Sequence, residues 1–327
     1  MLTYNHAAFV GRAIEGVIDQ RTKFRYELVI GDDASADGTA DICEEYQRRF
    51  PDRIRLVVWE RNISFGRSGN LYEVCRRARG KYVAFCEGDD YWTDQFKLQK
   101  QVDYMESHSD CALCFHPVRE SWDDGRLPDS TYPPDCARFA RAEPTIAELL
   151  RWNYMQTNSL MYRWNADGKL FEEFPLYELP ADWMLNLLHA RAGRIGFINE
   201  TMSVYCRHAG GLWTDAWRTP RWFARLGYRS ALFYAKVQRL FGVDRVPIIR
   251  QLVLVSLAMR RNRSDVLKIM RPSKVWTYLA PVLALCFAVG EHLAPSGSMR
   301  KGFGWRRILW NVVSRRRVRI RKVLSDD

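Results

Sequence analysis

The sequence predicts an α/β protein: a mostly parallel sheet with helices on both faces, followed by a basic helical extension. Three observations carry that reading. Up to about residue 215, short apolar runs rich in strand formers alternate with segments of helical spacing, as in βα units. Beyond about Thr214 the pattern gives way to long helical stretches dense in Arg, Trp, Phe and Leu. Charge divides at nearly the same place, because residues 218–327 carry 24 Lys/Arg against 5 Asp/Glu while residues 1–217 carry 26 against 33. Two parts of opposite sign, 1–215 and 216–327, therefore meet different partners. A chain of 327 residues that is 47% apolar folds around one large core or a core with an appendage, and disorder is excluded.

The elements follow in order. Residues 7–20 place Phe9, Ala13, Ile14 and Val17 on one helical face. Residues 26–30 (YELVI) form a strand ended by Gly31-Asp32-Asp33. Asp37-Gly-Thr opens a second helix through Arg49, with its acid suited to the helix dipole. A strand over 54–59 and a helix over 68–79 come next. Residues 81–86 (KYVAFC) are a strand, 94–107 a helix and 111–116 a strand. Residues 118–144, with four prolines and many Asp and Ser, read as an irregular connection. Further strands are expected at 157–163, 195–198 and 202–205, and a helix at 181–192.

In parallel sheets, ligands bind beyond the carboxyl ends of the strands. Asp32-Asp33 and Glu87-Gly-Asp89-Asp90 lie there. Adjacent carboxylates repel and favour a cation, and hard oxygen ligands suit Mg2+ or Mn2+; the alternative is that Asp89 and Asp90 cap the next helix. Asp32 and Asp33 either accept bonds from a base or ribose or complete a solvated turn. Asp182, at a helix start, reads as a cap or as a general base. His208, before Gly210-Gly211, reads as structural or as a ligand to metal or phosphate. Cys111 and Cys114 have no second cysteine pair, so they read as reduced strand thiols.

Taken in order, Thr3-Tyr4-Asn5-His6, Asp32-Asp33-Ala-Ser-Ala-Asp37-Gly-Thr39, Asn62 through Gly66 to Asn70, and Gly80 through Glu87-Gly-Asp89-Asp90-Tyr-Trp92 resemble glycosyltransferase family 2. Lys97 to Val102, Asp182 and Tyr205 to Trp213 extend the likeness, which covers about residues 1–215. The resemblance implies a GT-A (Rossmann-like) fold, an inverting single displacement, and transfer of a sugar from a nucleoside diphosphate to an acceptor hydroxyl in glycan or polysaccharide synthesis. It implies that Thr3, Tyr4, Asn5, Asp32 and Asp33 line the nucleoside pocket, with Arg67 and Asn70 in the same cleft. Asp89 and Asp90 match the family's metal- and ribose-binding acidic motif, with Glu87 in place of its leading Asp. His208, beside Arg207, joins the Mn2+ or Mg2+ site near the diphosphate. Asp182 matches the catalytic base, although Ala181 stands where an acid often precedes it. The family's first strand is reduced here to Met1-Leu2, so a natural start upstream, or a defective copy, is expected.

Residues 300–322 hold 10 Lys/Arg and no acid, and residues 275–290 form an uncharged run of 16. That run is short for a spanning helix, and with Arg and Trp beside it suits an anionic membrane surface. The expectation is therefore a cytoplasmic enzyme peripheral to the inner face of the cell membrane. Its donor would be UDP- or dTDP-linked and its acceptor a glycan or lipid-linked glycan. A nucleic-acid-binding tail is the competing reading, opposed by the acidic domain. A sugar-phosphate nucleotidyltransferase is another, opposed by the lack of a Gly-rich basic loop at Tyr4 to Ala7.

Overall fold

The computed structural model describes residues 1–63, 69–164, 180–211, 233 and 236–242. The chain divides into two units, the first spanning Met1–Thr219 with Arg229–Ile248; the second, Pro220–Tyr228 with Ile249–Asp327, lies outside the described residues, as do the basic tail and the 275–290 run.

The first unit opens with a parallel sheet of β1 (Leu2–Thr3), β2 (Leu28–Asp32) and β3 (Ile54–Val58), in that order. Its crossovers are α1 (Val10–Ile18) and α2 (Thr39–Arg49). α1 buries Val10, Ala13, Ile14, Val17 and Ile18, the stripe its spacing demands. β2 is buried along its whole length, as a parallel strand covered on both faces must be. α3 (Gly69–Cys75) lies directly on β2, where Gly31 leaves room for Asn70 and Val74.

The remaining strands mix directions. β4 (Tyr82–Ala84) pairs antiparallel with β9 (Met161–Arg163), which pairs antiparallel with β6 (Cys111–Phe115); β10 (Arg194–Phe197) runs parallel to β6. A third sheet holds β5 (Tyr91–Trp92), β11 (Ser203–Arg207), β7 (Val118–Trp122) and β8 (Ser130–Tyr132). The first two sheets meet where Gly88 N donates to Leu2 O at 2.8 Å. Parallel pairing thus carries β1 to β3, and antiparallel pairing enters with the later strands.

Helix α4 (Lys97–Ser107) covers one face of the second sheet with Met161 and Cys114; after the one-turn α5 (Ile146–Leu149), α6 (Ala181–Ala192) covers the other with Leu113, Phe115 and Tyr162. Nine of the twelve residues of α6 are buried, so it runs through the core and shows little amphipathic period.

The structure corrects two expectations. Residues 118–144 hold the β7–β8 hairpin and a 3-10 turn at Cys136–Ala140. Their local pattern is weak because β7 is held as a strand by its partner β11, distant in sequence. In 157–163 only Met161–Arg163 is strand; Thr157–Ser159 is a 3-10 turn in which Ser159 Oγ donates back to Gln156 O. Cys111 and Cys114 are free, buried thiols. Among the described residues no helix is long and apolar enough to cross a membrane.

Candidate functional site

The chain leaves β1 at Thr3 and turns through Tyr4-Asn5-His6 over the carboxyl ends of β1 and β2. Asn5 takes φ 55°, a left-handed conformation that asparagine tolerates. The turn is bracketed by the segment after β2. Asn5 N donates to Ser35 Oγ at 2.9 Å, Ala36 N to Asn5 Oδ1 at 2.9 Å, His6 N to Thr39 Oγ1 at 2.8 Å and Ala7 N to Asp37 Oδ2 at 3.0 Å. Asp37 Oδ1 also accepts from Thr39 N at 3.1 Å and from its hydroxyl at 2.5 Å. The Asp-Gly-Thr sequence therefore does more than start α2; it holds the loop that carries His6.

Thr3, Asn5, Asp32 and Asp33 meet at this rim. The buried Asp32 carboxylate accepts from Ser35 N at 3.0 Å and Ser35 Oγ at 2.5 Å. Asp33 Oδ1 accepts from Ile63 N at 2.7 Å, and Asp33 N donates to Thr3 O at 3.0 Å. Tyr4 is 47% exposed. Asn70 sits behind the rim, its Nδ2 donating to Gly31 O at 2.8 Å and its Oδ1 accepting from Trp59 Nε1 at 3.0 Å. Arg67 lies outside the described residues.

The acidic turn after β4 faces the same loop. Asp89 Oδ2 lies 3.1 Å from His208 Nε2 and 3.7 Å from His6 Nε2. One ligand atom from each of the three residues lies within 4.8 Å of the others, a grouping able to hold a metal ion. His6 did not stand out in the sequence as a ligand, although it closes the Thr3 to His6 motif. Asp90 is not one of the three: its Oδ1 accepts from Cys206 N at 2.9 Å on β11.

Electrostatics follow from burial and pairing. Burial pushes the Glu87 carboxyl up to about 8, with Asp89 and Asp182 adding to the effect and the N-terminal ammonium opposing it. Asp90 is pushed well above the usual carboxylate range by burial and by Asp89. Burial also opposes ionisation of Asp89, but the hydrogen bond to His208 and the nearby imidazoles hold its carboxyl below its ordinary value. The same bond raises His208, whereas burial lowers His6. Four buried polar atoms ring this turn without a hydrogen-bond partner: Thr3 Oγ1, His6 Nδ1, Glu87 Oε2 and Asp90 Oδ2. Native interiors satisfy nearly all such atoms, so a cluster of them marks a place for a ligand.

Asp182 occupies the first turn of α6. Its Oδ2 accepts from Asn153 Nδ2 at 3.1 Å, and the Thr157 side chain also hydrogen-bonds to it. Burial raises its carboxyl above the usual range, against the pull of these donors and of the helix-start N–H groups. It lies close enough to act on the charge of Glu87, which ties α6 to the acidic turn.

Comparison with known proteins gives the following. The model of Glycosyl transferase family 2 matches residues 1–168. An uncharacterized protein of Mycobacterium tuberculosis is 41% identical over 222 residues, 68% of this chain and 62% of its own length. The chain thus spans about three-fifths of that relative. The putative teichuronic acid biosynthesis glycosyltransferase TuaG of Bacillus subtilis is 36% identical over 113 residues, 35% of this chain and 42% of its own. Among solved structures, mannosyltransferase PcManGT from Pyrobaculum calidifontis, in complex with GDP-Man and Mn2+, superposes with TM-score 0.52 at 17% identity, covering 90% of this chain and 86% of its own. At that identity the likeness is one of fold, GT-A.

Proposed function

This chain belongs to glycosyl transferase family 2, and from that membership we propose that it moves a sugar, with inversion, from a nucleoside-diphosphate donor to an acceptor hydroxyl. The observation that carries the reading is the convergence of His6, Asp89 and His208 beside the Thr3, Asp32 and Asp33 rim. In this reading Thr3, Tyr4, Asn5, Asp32 and Asp33 line the nucleoside pocket, and Asp89 serves metal and ribose.

A divalent cation fits the donor set. One carboxylate and two imidazoles suit Mn2+ better than Mg2+, which prefers oxygen alone. His6, Asp89 and His208 would hold it, while Asp90 Oδ1 is engaged by Cys206 N. When bound, it would offset the negative charge that grows on the departing diphosphate. Asp182 removes the proton of the acceptor hydroxyl as that oxygen bonds to the anomeric carbon, and the bond to the diphosphate oxygen breaks on the opposite face. The raised Asp182 suits a base that must hold a proton briefly and release it.

Cell-surface glycan or polysaccharide synthesis is the setting this proposal favours, in line with the similarity to TuaG, a putative teichuronic acid biosynthesis glycosyltransferase. A UDP- or dTDP-linked donor and a glycan or lipid-linked acceptor complete it. The excess of 24 Lys/Arg over 5 Asp/Glu in residues 218–327 suits the anionic inner face of the cell membrane. Nucleic acid is not expected as a partner, because the catalytic part carries 26 Lys/Arg against 33 Asp/Glu.

A thermal-shift panel of nucleoside diphosphates, with and without Mn2+, tests the donor site. A ligand that binds only the folded chain raises its melting temperature. One nucleotide should give a Mn2+-dependent shift that is lost in Asp89→Ala and His6→Ala. The matching nucleotide sugar should be consumed by wild type and spared by Asp182→Asn. No shift with any nucleotide would falsify the proposal.

A further inference from the structure

Asp182 ends a chain of hydrogen bonds that the reaction itself does not require. Asn153 Nδ2 donates to Asp182 Oδ2 at 3.1 Å, Asn186 Nδ2 donates to Asn153 Oδ1 at 3.1 Å, and the Tyr162 hydroxyl donates to Asn186 Oδ1 at 2.6 Å. The Asn153 backbone carbonyl accepts from the Tyr132 hydroxyl. Tyr162 on β9 and Asn186 on α6 are wholly buried.

The direction of this chain is determined by its end. A carboxylate only accepts, so Asn153 must turn its NH2 group to Asp182 and its oxygen to Asn186. Asn186 then has its own oxygen left for the Tyr162 hydroxyl. All three donors point toward the carboxylate, and bonds aligned this way polarise one another.

We propose that Tyr162, Asn186 and Asn153 form a directed relay that orients the Asp182 carboxylate and holds it ionised, with Asn153 as the positioning residue. The relay's value to catalysis rests on the reading of Asp182 as the base; its effect on Asp182 does not. Burial works against ionisation there, and among the described residues the titratable groups facing Asp182 are Glu87 from the acidic turn, Tyr132 from the hairpin and Tyr162 from β9. Donors aimed at the charged form counter that burial.

The test is a pH titration of the Asp182 carboxyl by 13C NMR on the full chain labelled at aspartate, with Asp182→Asn assigning the signal. Asn153→Leu keeps the branched skeleton and removes the donor, and should move the midpoint up by about one pH unit or more. Tyr162→Phe loses one hydroxyl without touching Asp182 and should move it the same way by less. The double variant should match Asn153→Leu alone, since the relay acts through Asn153. In turnover with the nucleotide sugar found above, the acidic limb of the kcat profile should shift upward with the NMR midpoint while donor KM holds. An unmoved midpoint in an Asn153→Leu protein that melts normally, or an equal loss of kcat at every pH, overturns the relay. Full turnover by Asp182→Asn would sink the base reading instead, and the NMR midpoints would still decide the relay.

Discussion

Replacing Gly88 by alanine tests whether the acidic turn and the His6 loop are built as one piece. A Cβ at Gly88 would lie 2.6 Å from Thr3 Oγ1, 2.7 Å from Thr3 Cβ and 2.9 Å from His6 Nδ1. Ordinary contact begins near 3.4 Å, so these atoms would have to retreat by about 0.5–0.8 Å. They have little freedom to do so. Gly88 N is tied to Leu2 O at 2.8 Å, Thr3 O to Asp33 N at 3.0 Å, and His6 N to Thr39 Oγ1 at 2.8 Å. Overpacking of this kind costs about 1–3 kcal/mol. For a unit of this size that is a fall in Tm of roughly 2–12 °C. His6 would also leave its place 3.7 Å from Asp89. A displaced ligand should weaken Mn2+ binding by about 10–100-fold, the scale of other disturbances of ligand support. Differential scanning fluorimetry with a Mn2+ titration reads both numbers. An unchanged Tm would refute the packing argument; a lowered Tm with wild-type Mn2+ affinity would refute the link to His6.

Three further predictions follow from particular contacts. Gly31→Ala would bring a Cβ within 2.2 Å of Asn70 Oδ1 and 2.4 Å of Val74 Cγ2, so these α3 side chains must give up their places and the urea midpoint should fall by an amount equal to about 1–3 kcal/mol. Asp37→Ala removes the acceptor for Ala7 N, Thr39 N and the Thr39 hydroxyl; stability should drop by about 1 kcal/mol and the Mn2+-induced thermal shift should shrink, while a full shift would show that the bracket does not support His6. Lys97 is wholly buried against Trp92 and Gln101, and burial lowers it to about 7. The unfolded chain then binds the extra proton between about pH 7 and 10, so wild-type stability should rise with pH by up to about 1.4 kcal/mol per unit there, and Lys97→Met should lose that rise; parallel melting curves of the two proteins would refute it.

Much of the fold was legible because its signals are local. The stripe of Ala13, Ile14 and Val17, the apolar run leading into Asp32, and the helix at Ala181–Ala192 each declare themselves within a few residues. The placement of acids at strand ends follows from the same pattern, and the ordered motifs pointed to the family. Strands β7 and β8 were not legible, since their pairing with each other and with β11 outweighs a sequence of prolines, Asp and Ser.

The site divides the same way. Sequence alone determined that carboxylates would stand at the rim, that Asp182 would open a helix, and that His208 would follow a strand beside glycines. Only the tertiary structure decided which of them meet. It set His208 against Asp89 across 119 residues and added His6. It turned Asp90 to Cys206 and hung Asp182 on Asn153, 29 residues away. Neighbouring residues in a turn point to different sides, and which side faces the cleft is settled by long-range packing and hydrogen bonding. A local period carries no record of that.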